Sequence, residues 1–116
     1  MTISLARGDV VLTQFPYTDL SGAAVRPALV VSARLIGQDL ILAGISSVIR
    51  GSAVPTDVVV DTLHAKFPQT GLRVASVLRL HKLAAVESKI IMRRLGRIGP
   101  QLQSNVDRLL RVVLGL

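Results

Sequence analysis

The sequence has 116 residues, half of them apolar but only 3% aromatic, and it contains no cysteine. This length suits one domain, residues 1–116, and the lack of cysteine excludes disulfides and thiolate metal sites. The net charge is +7 and sits in residues 59–116, where ten basic side chains face three acidic ones, whereas residues 1–58 carry four of each.

The first half of the chain predicts three strands. Residues 10–15 mix β-branched and apolar side chains between a Gly-Asp turn and Pro16. A polar loop over 18–22 leads to a second strand, residues 26–32, and together they predict a hairpin. Residues 40–45 are apolar without alternation, as in a strand that is buried on both faces.

The second half predicts three more strands and then a change of period. Residues 57–61, 74–80 and 83–86 are the expected strands, and 62–71 is predicted to be irregular or one short helical turn. From Ser88, Ile91 and Leu95 recur at helical spacing until Gly96.

A final helix is predicted from Pro100 onward. Its apolar residues follow one helical stripe, Pro100 suits the first turn, and Gly115 suits the stop. The stripe consists of Leu102, Val106, Leu109, Leu110 and Val113. Six short strands and one closing helix predict a mainly β fold, an SH3-like barrel with a C-terminal α-helix.

Composition and motifs narrow the range of functions. Concentrated positive charge favours a polyanion such as nucleic acid, or an acidic protein, although a merely solvated basic surface has the same composition. No apolar run approaches the roughly 20 residues of a membrane-spanning helix, so we expect a cytoplasmic protein. The sequence has no P-loop, GxGxxG, HExxH or GxSxG motif, and the two histidines lack metal-ligand spacing. We therefore expect no metal and no cofactor.

A series of short motifs, in order and at fixed spacing, carries more information. It runs from Gly8-Asp9-Val10-Val11-Leu12 through Phe15-Pro16-Tyr17-Thr18-Asp19 and Arg26-Pro27-Ala28-Leu29-Val30-Val31-Ser32 to Ile45-Ser46-Ser47 and Ser76-Val77-Leu78-Arg79. This series resembles the PemK/MazF family of toxins from bacterial type II toxin–antitoxin systems, over nearly the whole chain. The resemblance implies an SH3-like barrel, a homodimer, and a metal-independent endoribonuclease that cuts single-stranded RNA to a 2′,3′-cyclic phosphate. It also implies a cognate antitoxin and, together with it, operator DNA as partners.

Four residues are candidate catalytic groups. The guanidinium of Arg26 could clamp a phosphate by two charge-assisted hydrogen bonds, and the family carries its catalytic arginine at this Arg-Pro pair. Ser46 stands where the family often has a catalytic threonine, and its hydroxyl could bond a phosphate oxygen or the attacking 2′-OH. Arg79 and His81, two apart on a strand, share one face and could combine charge stabilisation with proton transfer. In the Kid-like branch an aspartate takes the position of His81, which leaves the role of this histidine open.

Four further residues are candidate substrate contacts. Tyr17 could stack on a base, Asp19 and Ser21 lie in a loop that flanks the substrate groove in the family, and Ser47 follows Ser46. Each also has a simpler interpretation as a surface, loop or turn residue. Two other functions stay open from the sequence: a non-enzymatic binder on the same fold, such as a gyrase-poisoning toxin or a DNA-binding regulator, and an inactive member of the family.

Overall fold

The described part of the chain is a six-stranded antiparallel sheet followed by one helix. A computed structural model of the chain describes residues 4–14, 25–33, 36–49 and 54–116. The strands are β1 (Asp9–Gln14), β2 (Val25–Val30), β3 (Asp39–Ser46), β4 (Asp57–Val60), β5 (Ser76–Glu87) and β6 (Arg93–Arg97), and the helix is α1 (Pro100–Leu114). Two single 3-10 turns, Pro68–Thr70 and Ser88–Ile90, connect the later strands.

The strand order is β4-β5-β3-β2-β1-β6, and every pair of neighbours is antiparallel. The sheet curls into a half-barrel, so the mainly β architecture with a C-terminal helix is as predicted. The 3-10 turn at Pro68–Thr70 is the short helical turn expected within 62–71.

Two of the predicted strands, 74–80 and 83–86, are one strand. Ala43 pairs with Leu83 on β5, but the next residue, Gly44, pairs with Arg79. Three residues of β5 are therefore extra at this point, and they form a bulge that bends the strand instead of ending it. A bend of this kind turns the early part of β5, which carries Arg79, relative to the later part.

The helical period predicted from Ser88 is wrong. Ile91 packs in the apolar cluster on one face of the sheet, whereas Leu95 packs against the cluster on the other face. A 3-10 turn followed by the edge strand β6 produces this four-residue spacing. The sixth strand of the sheet is therefore β6.

The two faces of the sheet are covered by different apolar clusters. We call one the helix face, since its strand residues pack against α1 through the predicted stripe of Leu102, Val106 and Leu109. The other is called the opposite face, and its cluster consists of Val11, Ala28, Val30, Leu40, Leu42, Val86 and Ile91. Because side chains alternate along a strand, these clusters tell which way each neighbouring residue points.

The helix α1 is held at both ends as its sequence predicts. Pro100 occupies the first turn, and Gly115 ends the helix in a left-handed conformation at φ 70°. Arg7 forms an ion pair with Asp107, which ties the segment before β1 to the helix. Among the helices of the described residues, none combines the length and the hydropathy that crossing a bilayer requires.

Candidate active site

The end of β3 carries a hydrogen-bond network that begins at Ser46. The hydroxyl oxygen of Ser46 accepts a hydrogen bond from the Val48 amide at 3.1 Å, and the Val48 carbonyl accepts one from Nη2 of Arg79 at 3.0 Å. Ser46 therefore stabilises the turn that follows β3 through its hydroxyl oxygen. A hydroxyl that accepts still has its own proton to donate, so the turn leaves Ser46 free to bond a phosphate oxygen.

Arg79 continues this network to a buried carboxylate on β4. Its Nη1 lies 2.7 Å from Oδ2 of Asp57, and the two side chains are 18% and 2% exposed. Asp57 is directly opposite Arg79 in the β4–β5 pairing, which explains why the ion pair is short. Two bonds occupy two of the five N–H groups of the guanidinium, so three remain for a ligand.

His81 lies beside the same carboxylate. Its Nδ1 is 3.9 Å from Oδ1 of Asp57, and its side chain is 41% exposed. Arg79 and His81 thus share one face, as their spacing predicts, and a third residue adjoins both of them. Asp57 is a site residue that sequence reasoning missed.

The four candidate catalytic residues lie on the opposite face of the sheet. Leu78 and Ile45 point to the helix face, so their neighbours Arg79 and Ser46 point away from it. Arg26 lies two residues before Ala28 of the opposite-face cluster, so it points to the same face. The antiparallel β2–β3 register pairs Ala28 with Gly44. The start of β2, with Arg26, and the end of β3, with Ser46, therefore lie at the same end of the sheet.

A groove of about 570 Å³ lies at this end of the sheet and is rich in arginine. Its apolar walls come largely from the helix face, and Arg26 contributes from the start of β2. The groove adjoins the network at the end of β3, because Ser46 lies between Ile45 and Ser47, which both line the groove. The lining residues are Leu12, Arg26, Pro27, Ile45, Ser47, Gly71, Leu72, Arg73, Val74, Ser76, Arg93, Arg94 and Leu95. Of the two serines, Ser47 lines the groove and Ser46 belongs to the network.

The charge of this groove is of one sign. Four arginines line it, and none of the described lining residues is acidic. Within the described ranges, Arg73, Arg93 and Arg94 form no ion pair with a carboxylate. A concave surface with concentrated positive charge and apolar walls suits a ligand that is both anionic and partly apolar.

The remaining predicted contacts cannot be placed. Tyr17, Asp19 and Ser21 lie outside the described residues.

A comparison with protein families decides the affiliation of the chain. The family of PemK-like, MazF-like toxins of type II toxin–antitoxin systems matches residues 6–114. The chain belongs to this family.

Solved structures related to this PemK/MazF chain have the same fold at low sequence identity. An endoribonuclease in complex with its cognate antitoxin, from a mycobacterial species, is 17% identical with a TM-score of 0.74 and covers 97% of each chain. MazF from Deinococcus radiodurans is 18% identical with a TM-score of 0.74, over 98% of this chain and 99% of that one. The Mycobacterium tuberculosis toxin MazF-mt6 is 18% identical with a TM-score of 0.70, over 93% and 97%. Among curated proteins, no sequence matches this chain significantly.

Proposed function

We propose that this PemK/MazF-family chain is an endoribonuclease that cuts single-stranded RNA as the toxin of a toxin–antitoxin pair. The observation that carries the proposal is the meeting of two features at one end of the sheet. One is the polar network of Ser46, Asp57, Arg79 and His81, and the other is the arginine-lined groove. Endoribonucleases among the related solved structures support the same activity.

The network and Arg26 together supply a base and a cationic clamp for RNA cleavage by the substrate's own 2′-OH. His81 takes the proton of the 2′-OH, whose oxygen attacks phosphorus while the bond from phosphorus to the 5′-oxygen breaks. Arg26 and Arg79 stabilise the charge that develops on the phosphate oxygens, and Ser46 donates a hydrogen bond to one of them. The 5′-oxygen takes a proton from solvent, and the His81 imidazolium releases the proton of the 2′-OH to solvent, so the products are a 2′,3′-cyclic phosphate and a 5′-hydroxyl.

The arginine groove holds the RNA on either side of the cut. Arg73, Arg93 and Arg94 bind backbone phosphates, and the apolar walls accommodate a base. Ser47 contributes from the groove. We keep Tyr17, Asp19 and Ser21, which lie outside the described residues, as proposed substrate contacts. We further propose that the protein works in the cytoplasm as a homodimer, that a cognate antitoxin inhibits it, and that toxin and antitoxin together bind operator DNA.

The test of this function is incubation of the protein with a long RNA of mixed sequence in buffer that contains EDTA. We expect cleavage to persist, because arginine, serine and histidine side chains supply the clamp and the base of the mechanism. Mapping of the new ends should show 2′,3′-cyclic phosphates and 5′-hydroxyls.

Two outcomes contradict the proposal in different ways. Cleavage that stops in EDTA and returns with Mg²⁺ or Mn²⁺ refutes the metal-independent mechanism. Intact RNA under every condition refutes the endoribonuclease and favours a non-enzymatic binder that uses the arginine groove alone.

A further inference from the structure

Asp57 has a buried carboxylate whose two oxygens differ in their surroundings. Oδ2 accepts hydrogen bonds from Nη1 of Arg79 at 2.7 Å and from the Val54 amide at 3.1 Å. Oδ1 is equally buried but accepts no hydrogen bond from any residue that the structure describes. A buried carboxylate oxygen without a hydrogen-bond donor lowers the stability of the folded protein, so a nearby donor would stabilise it. Nδ1 of His81 lies 3.9 Å from Oδ1.

We propose that Asp57 is a positioning residue that orients both Arg79 and His81. A shift of about 1 Å brings Nδ1 of His81 to hydrogen-bond distance of Oδ1. The carboxylate then accepts the Nδ1 proton, which fixes the imidazole in one tautomer and leaves Nε2 without a proton, facing outward. The catalytic part of this inference rests on the proposed ribonuclease function, whereas the tautomer is a property of the folded protein.

This arrangement gives His81 the form that a base requires. When Nε2 takes the proton of the 2′-OH, the imidazolium keeps its Nδ1–H on Asp57, and the buried carboxylate balances the new charge. The same carboxylate holds Arg79 so that its remaining N–H groups face the phosphate. One carboxylate on β4 thus serves Arg79 and His81, two positions on the same face of β5.

The first measurement is the tautomer of each histidine in the unmodified protein, by long-range proton–nitrogen NMR correlation of the imidazole rings. The chain has two histidines, and a His64→Gln variant assigns them. Nδ1 of His64 accepts the Lys66 amide, so we expect His64 to carry its proton on Nε2. We expect the reverse at His81, with the proton on Nδ1. Finding His81 with its neutral-state proton on Nε2 overturns the proposal without any variant.

The second measurement uses Asp57→Asn, which keeps the shape of the side chain. Arg79 and the Val54 amide are both donors, so the new carbonyl oxygen must face them and the NH₂ group must face Nδ1 of His81. His81 then has to accept at Nδ1 and carry its proton on Nε2, where it cannot act as a base. We expect the tautomer to switch and single-turnover cleavage of the mixed-sequence RNA to slow by about 10²-fold or more, with little change in KM.

Asp61→Asn is the matched control, because Asp61 lies four residues after Asp57 and the substitution removes the same charge. The Asp61 side chain is exposed and accepts a hydrogen bond from the Leu63 amide. This control should keep both the His81 tautomer and the cleavage rate. A D57N variant that cuts at the wild-type rate overturns the positioning of both residues, and one that slows while His81 keeps its proton on Nδ1 overturns the positioning of His81. If the wild-type protein leaves RNA intact, the proposed function fails, and the tautomer measurement still decides whether Asp57 orients His81.

Discussion

Arg26 lines the groove at the start of β2, and it points to the same face of the sheet as the network. It lies in the exposed first part of β2, before the buried residues Ala28 to Val30. We expect Arg26→Ala to lower the cleavage rate by roughly 10²-fold or more, the effect of removing one group that stabilises the transition state. Its free energy of unfolding should change by less than about 1 kcal/mol. Single-turnover kinetics and thermal denaturation measure the two effects.

Arg111→Ala is the matched control for this variant. Arg111 is exposed in the last turn of α1 and does not line the groove. Its replacement removes the same charge outside the proposed site. Both variants lower the net charge by one, so a difference between them reports the local role of Arg26. Equal rates in R26A and R111A would show that Arg26 is not a catalytic residue.

In the candidate site, the residues that share one strand could be predicted from the sequence, whereas the residue contributed by a neighbouring strand could not. Arg79 and His81 could be placed on one face because that relation depends only on the alternation of a strand. Asp57 could not be found in this way, because it lies 22 residues before Arg79 and meets it through the register of β4 with β5. Its signal in the sequence is an acidic residue at the start of an apolar strand, which is equally typical of a solvated strand end.

At the scale of elements, the 3-10 turn after β4 approaches β6 so closely that side chains are excluded. Gly71 ends the turn with φ 74°, and a Cβ there would lie 2.1 Å from the carbonyl oxygen of Leu95. Gly37 has a similar φ of 64°, but nothing lies within 4 Å of its Cβ position. Gly71 and Leu95 both line the arginine groove, so this contact also shapes one wall of the proposed RNA site.

We expect Gly71→Ala to be more destabilising than Gly37→Ala by about 1–3 kcal/mol, the usual cost of forcing atoms into packed space. Both variants carry the same left-handed strain, so the difference isolates the approach of the turn to β6. Urea denaturation of the two variants measures it. Equal losses of unfolding free energy would show that the turn and β6 separate easily.

The elements that the sequence predicts well are those with a strong local pattern. The stripe of α1, with Pro100 before it and Gly115 after it, needs no tertiary information. The helical period predicted from Ser88 is wrong because the four-residue spacing of Ile91 and Leu95 fits a helix as well as a 3-10 turn followed by a strand. The bulge in β5 is invisible for a related reason, since it exists only relative to the pairing with β3.

At the scale of the whole molecule, folding brings part of the positive charge of residues 59–116 together around one groove. The sequence shows only that this charge lies in the C-terminal half. Arg73, Arg93 and Arg94 come from that half and join Arg26 around one groove. If three or four of them each neutralise one phosphate, the logarithm of the RNA binding constant should fall against the logarithm of salt concentration with a slope of roughly −2 to −3.

The groove also suits a disordered, acidic peptide tail, which we propose as the inhibitory segment of the cognate antitoxin, and this gives the last prediction. Carboxylates of such a tail can bind the same arginines as phosphates, and its apolar residues can pack on the walls formed by Leu12, Leu72 and Leu95. We expect RNA and antitoxin to exclude each other, with Arg26 and Arg79 shielded in the inhibited complex. Because a tail that folds on binding also buries apolar surface, antitoxin affinity should fall less with salt than RNA affinity does. Competition between the antitoxin and a labelled, 2′-O-methylated RNA, which lacks the attacking 2′-OH and stays uncut, tests both points at several salt concentrations. A ternary complex of toxin, antitoxin and uncut RNA would show that the two ligands use different surfaces, and inhibition would then have to act through a change at the network itself.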